Sequence, residues 1–324
     1  MREPAFDPAL LDAPHRAGGR FFNPWAPGER RLGDLLRWQL SRSPWDKRRP
    51  PVVPVVANDG TGLAGREHSG SLTWVGHSTF AVHDDDDVFV TDPHFGPRAL
   101  VPRRRVAPGV PLAALPRHAF GVVSHDHYDH LDAWTVKRLP ADMRWFVPLG
   151  LAAWFRRRGR ENVVELDWWR STRFGRWEIT CLPTQHWSAR IENPRNSTLW
   201  CSWLLRNEKR SYYFAGDTGY FAGFAEIRRR CGPVDVAMLP IGAYEPRWFM
   251  RSQHMDPGEA LRAFRDLGAR FMAGMHWGTF DLTDEPVDEA PRALARLLPE
   301  SGVDPERVRV LAVGERWRVP DPGP

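Results

Sequence analysis

The stretch Ser124-His125-Asp126-His127-Tyr128-Asp129-His130 sets three histidines and two aspartates within seven residues, in the order His-x-His-x-Asp-His. It follows Ala119-Phe120-Gly121-Val122-Val123, a short apolar, β-branched run that reads as a buried strand. Imidazoles and carboxylates are therefore crowded at the carboxyl end of a strand. Without a cation such a cluster would repel itself or be costly to desolvate. Neutral imidazole is the commonest metal ligand, and carboxylate oxygen completes a hard or borderline site. The stretch reads as a metal-binding motif, and the rest of the chain must supply the missing donors.

Three further strands end in such donors. Thr180-Cys181-Leu182-Pro183-Thr184-Gln185-His186 ends on His186, and Met275-His276-Trp277-Gly278 turns on His276. Tyr213-Phe214-Ala215-Gly216-Asp217-Thr218-Gly219 ends on Asp217, with glycines on both sides that allow close backbone approach. With His125, His127, Asp129 and His130 these make a set that suits two cations about 3.5–4 Å apart, bridged by one carboxylate and one water. Histidine and carboxylate without thiolate favour zinc, with manganese and iron left open.

A chain of 324 residues accommodates one large α/β domain or two smaller ones. Cys181, Cys201 and Cys231 are odd in number and lack a CxxC pairing, which excludes a disulfide framework and a cysteine zinc knot. The formal charge of +5 implies attraction to phosphates or a membrane surface. Arginine is scattered and no nucleic-acid module accompanies the core, so no nucleic-acid partner is expected. The amino terminus shows no basic-then-apolar signal, and no run approaches the ~18 apolar residues of a spanning helix. The expected location is cytoplasmic, with peripheral attachment to a membrane left open.

Residues 1–20 are expected to be disordered or loosely attached. Residues 21–70 read as an amino-terminal helix and a connecting segment packed on the core: Leu32, Leu35, Leu36 and Leu40 recur at helical spacing around Trp38. Residues 71–324 form the main domain. Leu72 to Val82 reads as a strand, Asp84 to Asp87 as a solvated turn and Val88 to Asp92 as its partner. Asp256, Pro257 and Glu259 open a well-signed helix whose apolar face carries Ala260, Leu261, Phe264 and Leu267. Strands in hairpin-like runs, with helices between them, give a mixed α/β sandwich with sheets inside and helices outside.

These motifs carry a resemblance. His-x-His-x-Asp-His followed by a separate His, an Asp and a last His is the ligand pattern of the metallo-β-lactamase-fold hydrolases, and this chain matches it at every position. Within that superfamily it is similar to the N-acylphosphatidylethanolamine-hydrolysing phospholipases D. The matching segments include Phe22-Asn23-Pro24-Trp25, Gln185-His186-Trp187, Ile241 to Met250, Gln253-His254 and His276 to Phe280. The resemblance implies a four-layer αββα sandwich with its site at the edge between the sheets. It implies that His125, His127 and His186 hold one zinc ion, that Asp129, His130 and His276 hold the other, and that Asp217 bridges them. It places His254, with Gln253 before it, beside the substrate phosphate, just ahead of a helix amino terminus that favours an anion. The implied reaction is attack of metal-bound hydroxide on the phosphorus of N-acylphosphatidylethanolamine, giving N-acylethanolamine and phosphatidic acid. Asp129 and His254 are the candidate proton donors to the leaving alkoxide. His77 and Asp92 are expected to orient ligand imidazoles, and the loop carrying Tyr244 and Trp248 to line the pocket. Proteins resembling this chain can be homodimers. The Arg- and Pro-rich loop from Pro97 to Pro111 departs from the family. It leaves acyl-chain specificity open, and with it the alternative of a metal-dependent lactonase or phosphodiesterase acting on a small soluble sugar-phosphate or nucleotide-like substrate.

Overall fold

The computed structural model describes residues 6–26 and 32–321. The amino-terminal segment corrects the first expectation, because residues 6–21 are tied down. β1 (Arg16–Ala17) and β2 (Arg20–Phe21) form a small hairpin, and Leu11 and Phe21 are buried. Trp169 Nε1 donates to the Leu11 carbonyl at 2.9 Å, Arg230 pairs with Asp12 at 2.6 Å, and the His15 ring stacks 4.3 Å from that of Trp168. Isolated anchors of this kind leave no periodic signature in the sequence. Residues 1–5 of the same expectation lie outside the described residues.

Helix α1 (Leu32–Leu40) docks mainly through Trp38. Trp38 donates from Nε1 to Asp284 at 3.0 Å, and its ring lies 4.9 Å from that of Phe249. Leu35, Leu36 and Leu40, the residues that suggested a packed face, stay exposed.

The run from Leu72 to Val82 is two strands rather than one. β3 (Ser71–Gly76) and β4 (Thr79–Asp84) pair antiparallel about a turn at Gly76-His77-Ser78, where Gly76 has φ 123° and His77 φ 55°. β5 (Asp87–Thr91) then returns beside β4. The acidic turn is solvated only at its tip. Asp84 is fully buried, held by Arg176 at 2.6 Å and by the Tyr212 hydroxyl at 2.9 Å.

β6 (Phe120–Val122), β7 (Trp145–Pro148) and β8 (Val163–Leu166) add parallel strands to β5. The second sheet runs β9 (Ser171–Phe174), β10 (Trp177–Leu182), β11 (Ser202–Arg206), β12 (Ser211–Phe214), β13 (Val236–Pro240), β14 (Phe271–Met275) and β15 (Val308–Arg309) in spatial order. β16 (Arg316–Arg318) crosses back to flank β3 in the first sheet.

Side chains alternate between faces along a strand, and here both faces are buried, each in its own core. Leu72, Trp74, Phe80, Val82 and Phe89 face the second sheet, where Trp177, Trp203 and Tyr212 meet them; the Phe89 ring is 5.3 Å from Trp177 and 5.6 Å from Tyr212. Val75, Ala81, Val90, Trp145 and Val147 face outward beneath α2 (Ala133–Arg138) and α3 (Ala152–Arg156). α4 (Gly223–Cys231), α6 (Pro257–Asp266) and α7 (Glu289–Leu297) cover the second sheet, and the short α5 (Arg247–Met250) lies in the loop after β13. This is the αββα order. Trp74, Trp177 and Trp203 serve as inter-sheet filler, each large apolar side chain contributing about 1.5–3 kcal/mol of burial. α6 carries the expected capping box, Asp256 and Glu259 answering each other's backbone donors. β3, β5, β6, β10, β12 and β14 all deliver their following loops to one edge of the sandwich, where the candidate ligands gather.

Candidate metal centre

Asp217 stands at the middle of the cluster. Its Oδ2 lies 3.1 Å from His130 Nε2, 3.7 Å from His186 Nε2 and 3.9 Å from His125 Nε2, while its Oδ1 lies 3.1 Å from His276 Nε2. On one side His127 Nδ1 is 2.8 Å from His125 Nε2 and 3.2 Å from His186 Nε2. On the other, Asp129 Oδ2 is 3.4 Å from His276 Nε2 and 3.5 Å from His130 Nε2. Donors about 2.0–2.1 Å from a shared tetrahedral cation stand roughly 3.3 Å apart, so most of these separations match the edges of coordination polyhedra. The donors fall into two compact groups, His125, His127, His186 and Asp217, and Asp129, His130 and His276 joined by His77. His130 Nε2, His276 Nε2 and Asp217 Oδ1 are buried and have no hydrogen-bond partner among the described residues. Orphaned buried polar atoms are costly, and a cation at their focus would satisfy all three. The side chains fit divalent metal.

The opposite ring nitrogens are tethered, which aims the free ones. His125 Nδ1 is 2.9 Å from Ser124 Oγ, His186 Nδ1 donates to the Gln253 carbonyl at 3.0 Å, and His130 Nδ1 is 2.6 Å from Asp92 Oδ2. Asp92 thus orients an imidazole as expected. His77 does not: its Nε2 lies 3.0 Å from Asp129 Oδ2 and so positions a carboxylate. Its carbonyl also accepts from the His276 backbone N–H at 3.0 Å, which explains the left-handed turn at His77.

Before a cation enters, the donors divide. At His130 burial is outweighed by the neighbouring Asp217 and Asp129, which hold the ring well above the usual imidazole range. A cation would have to displace a proton there, whereas three other rings are held low. Burial, reinforced by neighbouring imidazoles, holds His125 and His186 well below the usual imidazole range, and burial also lowers His127. These rings are neutral, with free lone pairs. Burial alone would raise Asp129 and Asp217, but the surrounding histidines outweigh it and hold both well below the carboxylate range. The same pairing overcomes burial at His276, pushed up to about 9.

Gly216 lets Asp217 reach this position. Its φ is 58°, and a Cβ there would lie 2.4 Å from the Ser124 Cβ and 3.1 Å from the Cys201 carbonyl. Gly216→Ala combines backbone strain with overpacking against the residue that orients His125. It should cost about 2–4 kcal/mol, read from the shift of a chemical denaturation midpoint at constant slope.

A cavity of about 490 Å³ opens on the cluster. His127, Asp129, Asp217, Gln253 and His254 face it at one end, and Leu35, Trp38, Leu100, Val101, Phe249, Met250 and Leu282 form an apolar wall. His254 Nδ1 is 3.8 Å from Asp217 Oδ2. Tyr244 and Trp248, expected in the pocket, do not line it. Tyr244 is buried in the core, and Trp248 is 47% exposed under the Arg37 guanidinium. A four-residue helix turns its side chains in different directions, so Phe249 and Met250 face the cavity in place of Trp248. The Arg- and Pro-rich loop contributes its apolar members, Ala99 to Pro102.

Sequence reasoning missed the staples. Arg190 donates to the carbonyls of Asp126 and Leu131 at 2.8 and 2.7 Å, closing the histidine loop, and Asn193 Nδ2 donates to Asp126 Oδ2 at 3.1 Å. Asn23 Nδ2 donates to the His186 carbonyl at 2.9 Å and accepts from Trp200 Nε1 at 3.0 Å. Only Asn23 carried a signal, through its place in the Phe-Asn-Pro-Trp segment.

Comparison with known proteins agrees with this geometry. Residues 88–277 match the family model described as a β-lactamase superfamily domain. The chain is 38% identical to N-acyl-phosphatidylethanolamine-hydrolyzing phospholipase D 1 of Caenorhabditis elegans, over 95% of each protein. It is 35% identical to the mitochondrial N-acyl-phosphatidylethanolamine-hydrolyzing phospholipase D of Saccharomyces cerevisiae, over 71% of this chain and 52% of that protein. Among solved structures, Igni18, a metallo hydrolase from Ignicoccus hospitalis, superposes with a TM-score of 0.59 at 22% identity, covering 76% of this chain and 97% of that one. That likeness speaks for the fold alone, while the Caenorhabditis elegans relative spans nearly the whole chain and carries it further. The chain belongs to the metallo-β-lactamase superfamily and is a metal-dependent hydrolase.

Proposed function

We propose that this hydrolase cleaves N-acylphosphatidylethanolamine-type phospholipids to N-acylethanolamine and phosphatidic acid at a dinuclear zinc centre. In this reading His125, His127 and His186 hold one cation, Asp129, His130 and His276 hold the other, and Asp217 contributes to both. Two such cations polarise a phosphoryl group and acidify water. Asp217 lies between the donor groups: its Oδ2 faces His125 and His186 of one and His130 of the other, and its Oδ1 faces His276. His77 holds Asp129 against that pair. His254, in the cavity wall beside Asp217, is positioned to hold a proton for the departing alkoxide.

One observation carries the choice of substrate: the cavity that opens on buried metal donors is otherwise walled by apolar side chains, and its size is that of a small-molecule site. A sugar phosphate would leave that wall unsatisfied. The mouth supports contact with a lipid surface. Leu100 and Val101 line the cavity yet stay 51% and 73% exposed, and Leu36 and Trp248 are exposed on α1 and α5, the helices that supply Leu35, Trp38, Phe249 and Met250 to the same wall. Among the described residues no helix is long and apolar enough to cross a membrane, so such contact would be peripheral.

Purified, metal-loaded protein given N-acylphosphatidylethanolamine in mixed micelles should release N-acylethanolamine and phosphatidic acid, detected together by mass spectrometry. Protein holding two equivalents of metal that forms neither product would remove the lipid from this proposal.

A further inference from the structure

Arg195 differs from the other arginines around the site. Arg190 is bonded to two loop carbonyls, Arg104 donates to the His94 and Gly96 carbonyls, and Arg247 pairs with Glu259 at 2.6 Å. The Arg195 side chain has no hydrogen bond or ion pair among the described residues, and its Nε is buried without a partner. It packs on Trp187, over whose indole the guanidinium lies 4.6 Å from the centroid. The Trp187 ring in turn stands 4.4 Å from the His127 ring, nearly perpendicular to it. Arg195 thus sits one indole away from the metal donors. It lines the main cavity and also a second one of about 290 Å³, which reaches Asn23, His186 and Gln253.

The half-buried Arg195 guanidinium gains a stacking contact on Trp187, but its buried Nε stays unpaired, and burying a polar donor without a partner is costly until an anion supplies one. Its planar fork matches two oxygens of a phosphate, and stacking on an indole restricts it to one orientation before binding. We propose that Arg195 is a specificity-determining residue that recognises the substrate's phosphoryl oxygens where the two cavities meet, selecting anionic phosphate esters over neutral esters and lactones. The proposal rests on the reading of the enzyme as a phosphodiesterase but does not require the lipid.

The test uses inorganic phosphate as the probe and calorimetry on metal-loaded protein, so no turnover is needed. Arg195→Gln should weaken phosphate binding at least tenfold while metal content and melting temperature stay as in the parent. Arg195→Lys, which keeps the charge but loses the fork, should fall between the two, and it carries the test if the glutamine variant does not fold. With a hydrolysed phosphodiester the same change should raise KM about tenfold and leave kcat within threefold. Phosphate affinity within twofold of the parent in both variants would overturn the proposal and leave Arg195 as a cap on Trp187. Protein that binds phosphate through Arg195 yet leaves N-acylphosphatidylethanolamine intact would sink only the lipid reading.

Discussion

Asp217→Asn is expected to reduce hydrolysis by about two to four orders of magnitude and to leave the protein short of metal. The carboxylate lies among the Nε2 atoms of His125, His130, His186 and His276, within 3.1–3.9 Å of each, and is almost wholly buried. Asparagine keeps the shape but removes the charge and turns one oxygen into an N–H donor aimed at imidazole nitrogens. Removing one partner from a buried charged cluster typically costs about 3–5 kcal/mol, and each 1.36 kcal/mol is a factor of ten in rate when it is lost from the transition state. Metal analysis beside the activity assay separates lost metal from a lost catalytic group. Asp126→Asn is the control. Asp126 lies in the same histidine stretch, but its carboxylate accepts from Asn193, so its loss should leave metal content unchanged. An Asp217→Asn protein with full metal and full activity would refute the ligand assignment.

The contrast between these two aspartates shows what the sequence could carry. Candidate ligands at strand ends were legible because their chemistry is local: a packed His-x-His-x-Asp-His stretch after an apolar strand has few other physical explanations. The two-sheet architecture was legible for a similar reason, since apolar strand runs broken by hairpin turns are written along β3 to β5 and β10 to β12. Features made by contacts between distant segments were not. Nothing near Leu11 or His15 announces that Trp168 and Trp169 will receive them, and nothing near Arg190 announces two loop carbonyls more than fifty residues away in the chain. The turn at His77 was overshadowed by strong strand formers on both sides, although Gly76 interrupts them, and the φ angles of Gly76 and His77 expose it. α4 escaped because Arg228-Arg229-Arg230 masks its apolar face, although Phe224 and Ile227 are fully buried.

Asp92→Asn should lower metal affinity about 10–100-fold while the fold persists, which tests whether the residue behind a ligand matters as much as the ligand. Asp92 is fully buried. Its Oδ1 accepts from the Ser124 backbone N–H at 2.7 Å, and its Oδ2 meets Ser124 Oγ and His130 Nδ1, each at 2.6 Å. Burial pushes this carboxyl up, and the bonds from His130 and Ser124 oppose the rise. The carboxylate thereby keeps the His130 proton on Nδ1 and leaves Nε2 free to coordinate. Asparagine satisfies only half of this arrangement. With its oxygen toward Ser124 N–H, its amide donor confronts His130 Nδ1, so the ring must shift its proton to Nε2, the atom that faces Asp217. With the amide flipped, two donors meet at Ser124. Either orientation removes a ligand lone pair or strands a buried donor, at about 1–3 kcal/mol. Titration against a competing chelator reads the affinity directly, and saturating metal should recover part of the activity, as it should not for Asp217→Asn. An unchanged affinity would mean that His130 keeps its tautomer without Asp92, and that packing alone orients the ring.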